Sequence, residues 1–162
     1  MKAQDIMTAD PAFCLPDDTA QQAASLMAEC DCGVIPVVES KESMRLVGVV
    51  TDRDLAVRGL AQGKGPDAKV RDLMTSSPSC CRPNDNVRDV ERLMSERQLR
   101  RVPVVDDAGR CLGVIAQADL ARVAEQKGGV SDREVARVVE RISEPMPRSG
   151  RMTGDRQMET RL

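Results

Sequence analysis

The sequence contains one short stretch twice: DIMT at residues 5–8 returns as DLMT at residues 72–75, which is 67 positions further on. At the same spacing, IPVV at residues 35–38 returns as VPVV at residues 102–105. A repeat of this length indicates two copies of one supersecondary unit, in which each copy buries part of its apolar surface against the other.

The later part of the second copy lies two residues closer to its counterpart, since GVV at residues 48–50 matches GVI at residues 113–115. This change predicts a shorter hairpin loop in the second copy. Each copy has only about sixty residues, which is near the smallest size that can form a core of its own. Two copies packed together are therefore favoured over two independent domains.

Each copy is predicted to form a strand, a helix, two strands and a second helix, which gives an α+β fold with two pseudo-symmetric repeats packed sheet to sheet. Asp18 is the predicted N-cap of the first helix, because apolar residues at helical spacing follow it. Pro36 is expected at a strand start or a sheet edge, where no ladder donor is needed. The next strand covers Leu46 to Thr51, and the helix after it covers Asp52 to about Leu60.

Five segments are predicted along the chain: repeat 1 at residues 1–62, a linker at 63–68, repeat 2 at 69–126, a C-terminal helix at 127–142 and a disordered tail at 143–162. Glycine and proline mark the linker and the tail. Ser131 and Glu134 form a predicted capping box for the C-terminal helix. One apolar face of that helix is predicted to contain Val135, Val138, Val139 and Ile142.

Composition and charge argue against nucleic acid and membranes as partners. The net charge is −2 and the pI is about 5.3, so no global field attracts a polyanion. The polar N-terminal residues do not resemble a secretory signal, and no apolar run approaches a membrane span. We expect a cytoplasmic protein.

The residue types also argue against an enzyme and against a metal site. The chain has no histidine, so no Ser-His-Asp or Cys-His catalytic arrangement can form. No Gly-rich nucleotide fingerprint is present. The six cysteines do not have the usual zinc spacing, and reduced thiols are favoured over a disulfide framework. Cys14 and Cys81 are predicted to be small core residues.

The segment from Thr51 to Asp54 is the first candidate for binding chemistry. The hydroxyl of Thr51 could donate to a phosphate, and the carboxylate of Asp54 could accept from the diol of a ribose. A simpler interpretation is that Thr51 or Asp52 caps a helix and Asp54 is a first-turn acid. The segment alone favours this simpler interpretation.

Arg100 and Arg101 are the second candidate, because two arginines before a buried strand could clamp a phosphate. The alternative is a solvated helix end, where cations also suit the helix dipole. The two copies differ at both candidate positions. Repeat 1 has Gly33 and Val34 in place of the two arginines, and repeat 2 has Ala116 and Ala118 in place of Thr51 and Arg53.

The repeated motifs, in this order, resemble a tandem pair of cystathionine-β-synthase (CBS) domains, the Bateman module, over about residues 1–126. The overall form is similar to the small stand-alone bacterial CBS-pair proteins. The resemblance implies a non-catalytic regulatory module with two clefts between the repeats. It also implies ligands that contain adenosine, with AMP, ADP, ATP, NAD and S-adenosylmethionine as candidates and no required cofactor.

The resemblance further implies a principal cleft in which the arginines of repeat 2 serve the Thr/Asp motif of repeat 1. Its predicted residues are Val49, Thr51, Arg53, Asp54, Pro78, Ser79, Cys80, Arg100 and Arg101. A weaker secondary cleft, which lacks the hydroxyl and the arginines, would contain Pro11, Ala12, Phe13, Gly33, Val34, Ala116 and Asp119. Loss of two charge-assisted contacts weakens binding by about two to four decades.

Two functions follow as alternatives. In the first, a bound adenine nucleotide changes the arrangement of the repeats, and a protein partner reads the change. In the second, the chain is a ligand-free interaction or dimerisation module that acts through protein partners. A homodimer is expected in either case. Cys80, beside the predicted base position, could make binding redox-sensitive, although an inert thiol is favoured.

Overall fold

The computed structural model describes residues 1–123 and 132–144. The described part of the chain folds into six strands and five helices, with short 3-10 turns at Ala3–Asp5 and Val70–Asp72. In chain order these elements are β1 (Thr8–Ala9), α1 (Ala20–Glu29), β2 (Val34–Val38), β3 (Leu46–Thr51), α2 (Asp52–Asp54), β4 (Thr75–Ser76), α3 (Val87–Arg97), β5 (Arg101–Val105), β6 (Cys111–Ala116), α4 (Gln117–Val123) and α5 (Asp132–Ser143). Helix α2 continues as a π-helical segment, Leu55–Gly59, and a 3-10 turn, Leu60–Gln62.

The strands form two antiparallel three-stranded sheets, ordered β2-β3-β4 and β1-β6-β5. The predicted α+β fold and the order of elements within each copy are confirmed. The repeats also exchange their first strands: β1 pairs with β6 of the second copy, and β4 pairs with β3 of the first. Each sheet is therefore built from both copies, which joins the repeats through backbone hydrogen bonds.

Two glycines make this exchange sterically possible. A Cβ on Gly48 would lie 2.6 Å from Sδ of Met74 and 2.9 Å from the carbonyl oxygen of Thr75. Gly113 is equally crowded by Met7 and Thr8. The methionine of the repeated DIMT/DLMT motif thus packs over the glycine of the other copy, which explains why both features occur twice.

Each sheet covers one aliphatic core. The first core includes Cys14, Met27, Ile35, Val50 and Leu73. The second core contains the residues that correspond to these, namely Cys81, Met94, Val102, Ile115 and Ile6. Cys14 and Cys81 are buried, as predicted. The starts of β3 and β6 meet in a bridge between Arg45 and Arg110, which connects the two sheets.

Local features confirm some expectations and correct others. The hairpin loop between β5 and β6 is two residues shorter than the loop between β2 and β3, and Pro36 lies on an edge strand, both as predicted. The N-cap of α1 is Thr19, not Asp18. Thr19 forms a capping box with Gln22, whereas the carboxylate of Asp18 accepts from the N–H of Leu15 at 2.7 Å.

Helix α5 packs on α3 and α4 of the second copy. Val138 and Ile142 are buried there, and Val135 packs against them. Val139 is 40% exposed, so its predicted place on the apolar face is wrong, because the helical phase turns it toward solvent. The predicted capping box at Ser131 and Glu134 and the predicted tail beyond residue 144 lie outside the described residues and side chains.

Candidate functional site: the turn after strand β3

The turn from Thr51 to Asp54 is a closed hydrogen-bonded unit. Both the N–H and the hydroxyl of Thr51 donate to Oδ2 of Asp54, at 3.0 and 2.8 Å, and the N–H of Asp54 donates back to Oγ1 of Thr51 at 3.1 Å. Thr51 is therefore the N-cap of α2, as the simpler interpretation of the sequence had it. The capping box fixes the direction in which the Asp54 carboxylate points.

Asp54 keeps unused acceptor capacity. An ionised carboxylate has about four lone-pair sites, and Oδ2 takes the two contacts from Thr51. Oδ1 lies 3.5 Å from Nε of Arg58, and the Asp54 side chain is 14% exposed. A hydroxyl group that approaches from the cleft can donate to this carboxylate without breaking the turn.

One face of β3 leads to this turn and is partly open. Successive strand side chains alternate between faces, so Val47, Val49 and Thr51 share a face. All three are half-buried, whereas Val50 on the opposite face is buried in the core. The exchanged strand β4 pairs with β3, and three half-buried residues follow it: Pro78, Ser79 and Cys80. These three residues have no regular strand structure.

Arg101 of the second copy reaches the motif of the first copy. A Cβ on Gly33 would lie 2.7 Å from Oδ2 of Asp52 and 3.1 Å from Nη2 of Arg101. The absent side chain of Gly33 therefore leaves the space in which the guanidinium and the Asp52 carboxylate approach each other. The structure thus brings Arg101 to the end of β3, beside the turn that contains Asp54.

Three other predicted residues have surroundings that differ from those of Arg101. Arg100 is exposed, and its carbonyl accepts from the N–H of Gln117 in its own copy. Arg53 is exposed at the start of α2. Gly33, assigned by sequence to the secondary cleft, lies at the principal motif, because its carbonyl accepts from the N–H of Asp52 at 3.2 Å. Its neighbour Val34 pairs with Thr51.

The equivalent turn of the second copy has a carboxylate but no hydroxyl. The N–H of Ala116 donates to Oδ2 of Asp119 at 2.7 Å, and Arg122 donates to Oδ1 at 2.9 Å. The Asp119 side chain is 9% exposed, less than that of Asp54. On the adjoining strand, Val114 is only 9% exposed, whereas the corresponding Val49 is half-buried. The nearby predicted residues Pro11, Ala12 and Phe13 are half-buried.

Sequence reasoning missed two residues at the first turn, Asp52 and Arg58. Asp52 was considered only as a cap. Arg58 pairs with Asp54 and also donates from Nη1 to two carbonyl oxygens, those of Leu73 at 3.1 Å and Met74 at 2.9 Å. The spacing of four residues between Asp54 and Arg58 was a usable signal for the ion pair. The contacts of Arg58 with the two carbonyl oxygens depend on the strand exchange, so no local sequence pattern indicates them.

The buried and half-buried thiols have the properties of unreactive groups. Burial raises the pKa of Cys14 from 9.0 to about 11, with a smaller contribution from Asp18. Burial likewise raises the pKa of Cys81 to about 12 and that of Cys111 to about 11. At Cys80 burial raises the pKa and Arg82 opposes the shift, which favours an inert thiol beside the predicted base position.

Two grooves lie outside the turn, and the second of them adjoins it. One, of about 810 Å³, separates α3 from α5 and is lined mainly by charged side chains of both signs. The other, of about 530 Å³, lies between α1 and the α2 region, with apolar residues such as Ala20, Ala24, Leu55 and Leu60 in its walls. Only Asp52 belongs to both this groove and the turn.

In the described part of the chain no group of histidine, cysteine or acidic residues could hold a metal, and no helix could span a bilayer.

The fold and the paired turns define a tandem repeat of one α+β unit, and comparison with known proteins gives its family. Residues 3–59 and 70–126 each match the CBS domain model, so the chain belongs to the CBS-domain family and contains a pair of such domains. A relative is the CBS domain-containing protein YhcV of Bacillus subtilis (strain 168). It is 40% identical over 118 residues, which cover 73% of this chain and 81% of the relative.

Similar crystal structures contain adenosine compounds or zinc. CBSX2 in complex with AMP has a TM-score of 0.69 and 32% identity, covering 78% of this chain and 97% of that one. The CBS pair of MJ0100 with 5′-methylthioadenosine and S-adenosylmethionine has a TM-score of 0.70 and 26% identity, covering 78% and 98%. Hypoxic Response Protein I, with two coordinated zinc ions, has a TM-score of 0.68 and 34% identity, covering 75% and 98%.

Proposed function

We propose that this protein is a regulatory module that binds an adenosine-containing nucleotide at the end of β3 and responds by a change in conformation. One observation carries the proposal: Nη2 of Arg101, from the second copy, lies beside Gly33 and Asp52 at the end of β3, next to the turn in which Thr51 fixes the Asp54 carboxylate. A carboxylate suits a ribose diol, and a guanidinium suits a phosphate. A ligand that uses both groups bridges the two copies.

Each group has a distinct task in the proposal. Asp54 accepts hydrogen bonds from the ribose hydroxyls, and Thr51 orients Asp54 through the capping box. Arg101 binds the phosphate nearest the ribose, while the exposed Arg53 and Arg100 are available for further phosphates. The base lies between Val49 and the segment Pro78–Cys80. Contacts to the base are aliphatic, because the chain contains neither Trp nor Tyr.

The ligand class is adenosine compounds, with AMP, ADP, ATP, NAD and S-adenosylmethionine as the candidates. The AMP complex of CBSX2 and the S-adenosylmethionine complex of MJ0100 support this class. The proposal includes no catalytic step and no metal. The cytoplasmic location predicted from the sequence stays part of it.

The second turn forms a weaker site in this proposal. Asp119 supplies the diol acceptor, but Ala116 has no hydroxyl, and the strand face at Val114 is nearly closed. A ligand without a phosphate suits this cleft better than AMP. We expect one strong and one weak adenosine site in each chain.

The homodimer expected from the sequence also has a structural candidate. The groove of about 530 Å³ is lined in part by the exposed Leu60, which is 74% accessible. The matching helix face of the second copy is covered by α5. Light scattering on the wild type and on the variant Leu60→Glu tests this part: a dimer that the substitution dissociates is expected, and an unchanged mass contradicts the use of this face.

An absorption spectrum and a thermal shift test the ligand. Because Trp and Tyr are absent, a co-purified adenine nucleotide dominates the near-ultraviolet spectrum of this protein. Added AMP at a hundredfold excess over its Kd should raise the free energy of unfolding by roughly 2.7 kcal/mol. A featureless spectrum together with no shift for any of the five candidates supports the alternative, a ligand-free interaction module.

A further inference from the structure

Arg58 makes two kinds of contact that connect the proposed ribose site to the exchanged strand. Its Nε lies 3.5 Å from Oδ1 of Asp54, the oxygen that Thr51 leaves free. Its Nη1 donates to the carbonyl oxygens of Leu73 at 3.1 Å and Met74 at 2.9 Å. One guanidinium thus holds a carboxylate of the first copy and the backbone of the second.

The backbone at Arg58 has an unusual form. Residues Leu55–Gly59 are π-helical, a conformation that is rare and is frequently found at functional sites. The equivalent helix of the second copy, α4, is an ordinary α-helix, and Val123 occupies the position of Arg58. The second copy therefore has an arginine on its carboxylate, Arg122, but has a valine where the first copy has the bridging arginine.

The bridged carbonyls lie just before the segment that is proposed to contact the base. Leu73 and Met74 are followed directly by β4, and then by Pro78–Cys80. Residue Leu73 is fully buried in the core of the first copy, so this end of the segment is anchored.

We propose that Arg58 is a positioning residue that couples the occupancy of Asp54 to the position of residues 73–80. This inference rests on the proposed function and adds a path of contacts by which binding at Asp54 affects residues 73–80. When a diol donates to Asp54, Arg58 keeps its two carbonyl contacts and holds the base-contacting segment against β3. Coupling of this kind is reciprocal, so loss of Arg58 lowers the affinity for ligands that contain the diol more than for ligands that lack it.

The test is calorimetric titration of the full-length chain with AMP and with 2′,3′-dideoxy-AMP. Arg58→Ala should weaken AMP about tenfold, the low end expected for a charge-assisted contact, since Arg58 is half exposed. The same substitution should weaken dideoxy-AMP by only about threefold, because this ligand keeps the contact of the base with the loosened segment but makes no hydrogen bond to Asp54. Arg58→Lys keeps the charge but not the fork of donors and should recover part of the loss.

The matched control is Arg92→Ala. Arg92 pairs with Asp89 one helical turn away on the surface of α3, as Arg58 pairs with Asp54, but it contacts neither cleft. Its removal should leave both affinities unchanged. Hydrogen exchange of the ligand-free Arg58→Ala variant gives an independent readout, with faster exchange expected at residues 74–79.

The outcomes separate the two proposals. Equal losses for AMP and dideoxy-AMP, or no loss for either, overturn the role of Arg58 while leaving nucleotide binding intact. Failure of the wild type to bind AMP or any other candidate overturns the proposed function, and this inference with it. A loss specific to the diol-containing ligand, with Arg92→Ala unchanged, supports the coupling.

Discussion

The turns after β3 and β6 have the same backbone design and different side chains. In both, a carboxylate three residues after the strand end accepts from the strand-end N–H, through Asp54 in one copy and Asp119 in the other. Only the first turn has a hydroxyl, an open strand face and a guanidinium from the other copy beside it. The shared part of the design maintains the fold. The differences between the copies are the basis for proposing the first turn as the ligand site.

The largest expected effect comes from neutralising one carboxylate at a time. Asp54→Asn preserves the shape of the turn and removes the charge, and it should weaken AMP binding by roughly a hundredfold, as for loss of charge-assisted bonds to two hydroxyls. Asp119→Asn is the matched variant and should change the principal affinity by less than about threefold. Isothermal titration of both variants makes the comparison. The reverse ranking would show that the assignment of the two clefts is wrong.

Removal of the Arg101 guanidinium is expected to have the second-largest effect. Arg101→Met retains an apolar stem and should weaken AMP by about thirtyfold, while adenosine, which has no phosphate, should lose less than about twofold. Competition binding with the two ligands gives both values. An equal loss of affinity for AMP and for adenosine would mean that Arg101 stabilises the fold and does not bind the phosphate.

A smaller effect is expected from filling the space at Gly33. In Gly33→Ala the new methyl group would lie 2.7 Å from Oδ2 of Asp52 and must displace that carboxylate or Nη2 of Arg101. Both atoms are at the ends of side chains, so the fold should tolerate the change, with AMP binding reduced by about fivefold. Gly65→Ala is a control, because nothing lies within 4 Å of that position. An unchanged affinity for AMP in Gly33→Ala would show that the space beside Gly33 is not part of the nucleotide site.

The equivalent thiols of the two copies, Cys14 and Cys81, predict a stability effect in alkali. Their pKa values in the folded protein are about 11 and about 12, whereas unfolded thiols ionise near 9.0. Between these values the unfolded chain has lost the proton that the folded chain keeps, so stability falls as pH rises. The slope is up to roughly 1.4 kcal/mol per pH unit for each thiol.

Urea unfolding at pH 8 and at pH 10.5 measures this effect. Cys81→Ala should lower stability at pH 8, because a buried group is lost, and should flatten the decline toward pH 10.5. Cys14→Ala should do the same in the first copy. A decline that neither substitution changes would mean that other groups control the alkaline transition.

Much of the fold was predictable, because the repeat fixes the order of elements and short, nearly continuous apolar runs mark the strands. The hairpin lengths and the edge position of Pro36 followed directly. The N-cap of α1 was misplaced by one residue, because Asp18 and Thr19 are both good caps and only the structure shows which accepts from the helix. Val139 was misassigned because four apolar residues in eight leave the helical phase ambiguous.

The strand exchange and the contacts of Arg58 could not be predicted from local patterns. Pairing of β4 with β3 depends on the path of the chain between the copies, which no local spacing records. The π-helical segment that includes Arg58 also has no simple sequence signature. The prediction that Arg101 and the motif of the first copy share a cleft came from the family resemblance, and its test requires a ligand.

A crystal structure of the protein grown with AMP is the most direct test of the central claim. The account predicts one well-ordered AMP at the end of β3. Its ribose hydroxyls should lie within hydrogen-bond distance of Asp54, its phosphate should contact Arg101, and its base should lie between Val49 and Pro78–Cys80. An AMP molecule bound at Asp119 with the first turn empty, or one bound in either groove instead, would contradict the account.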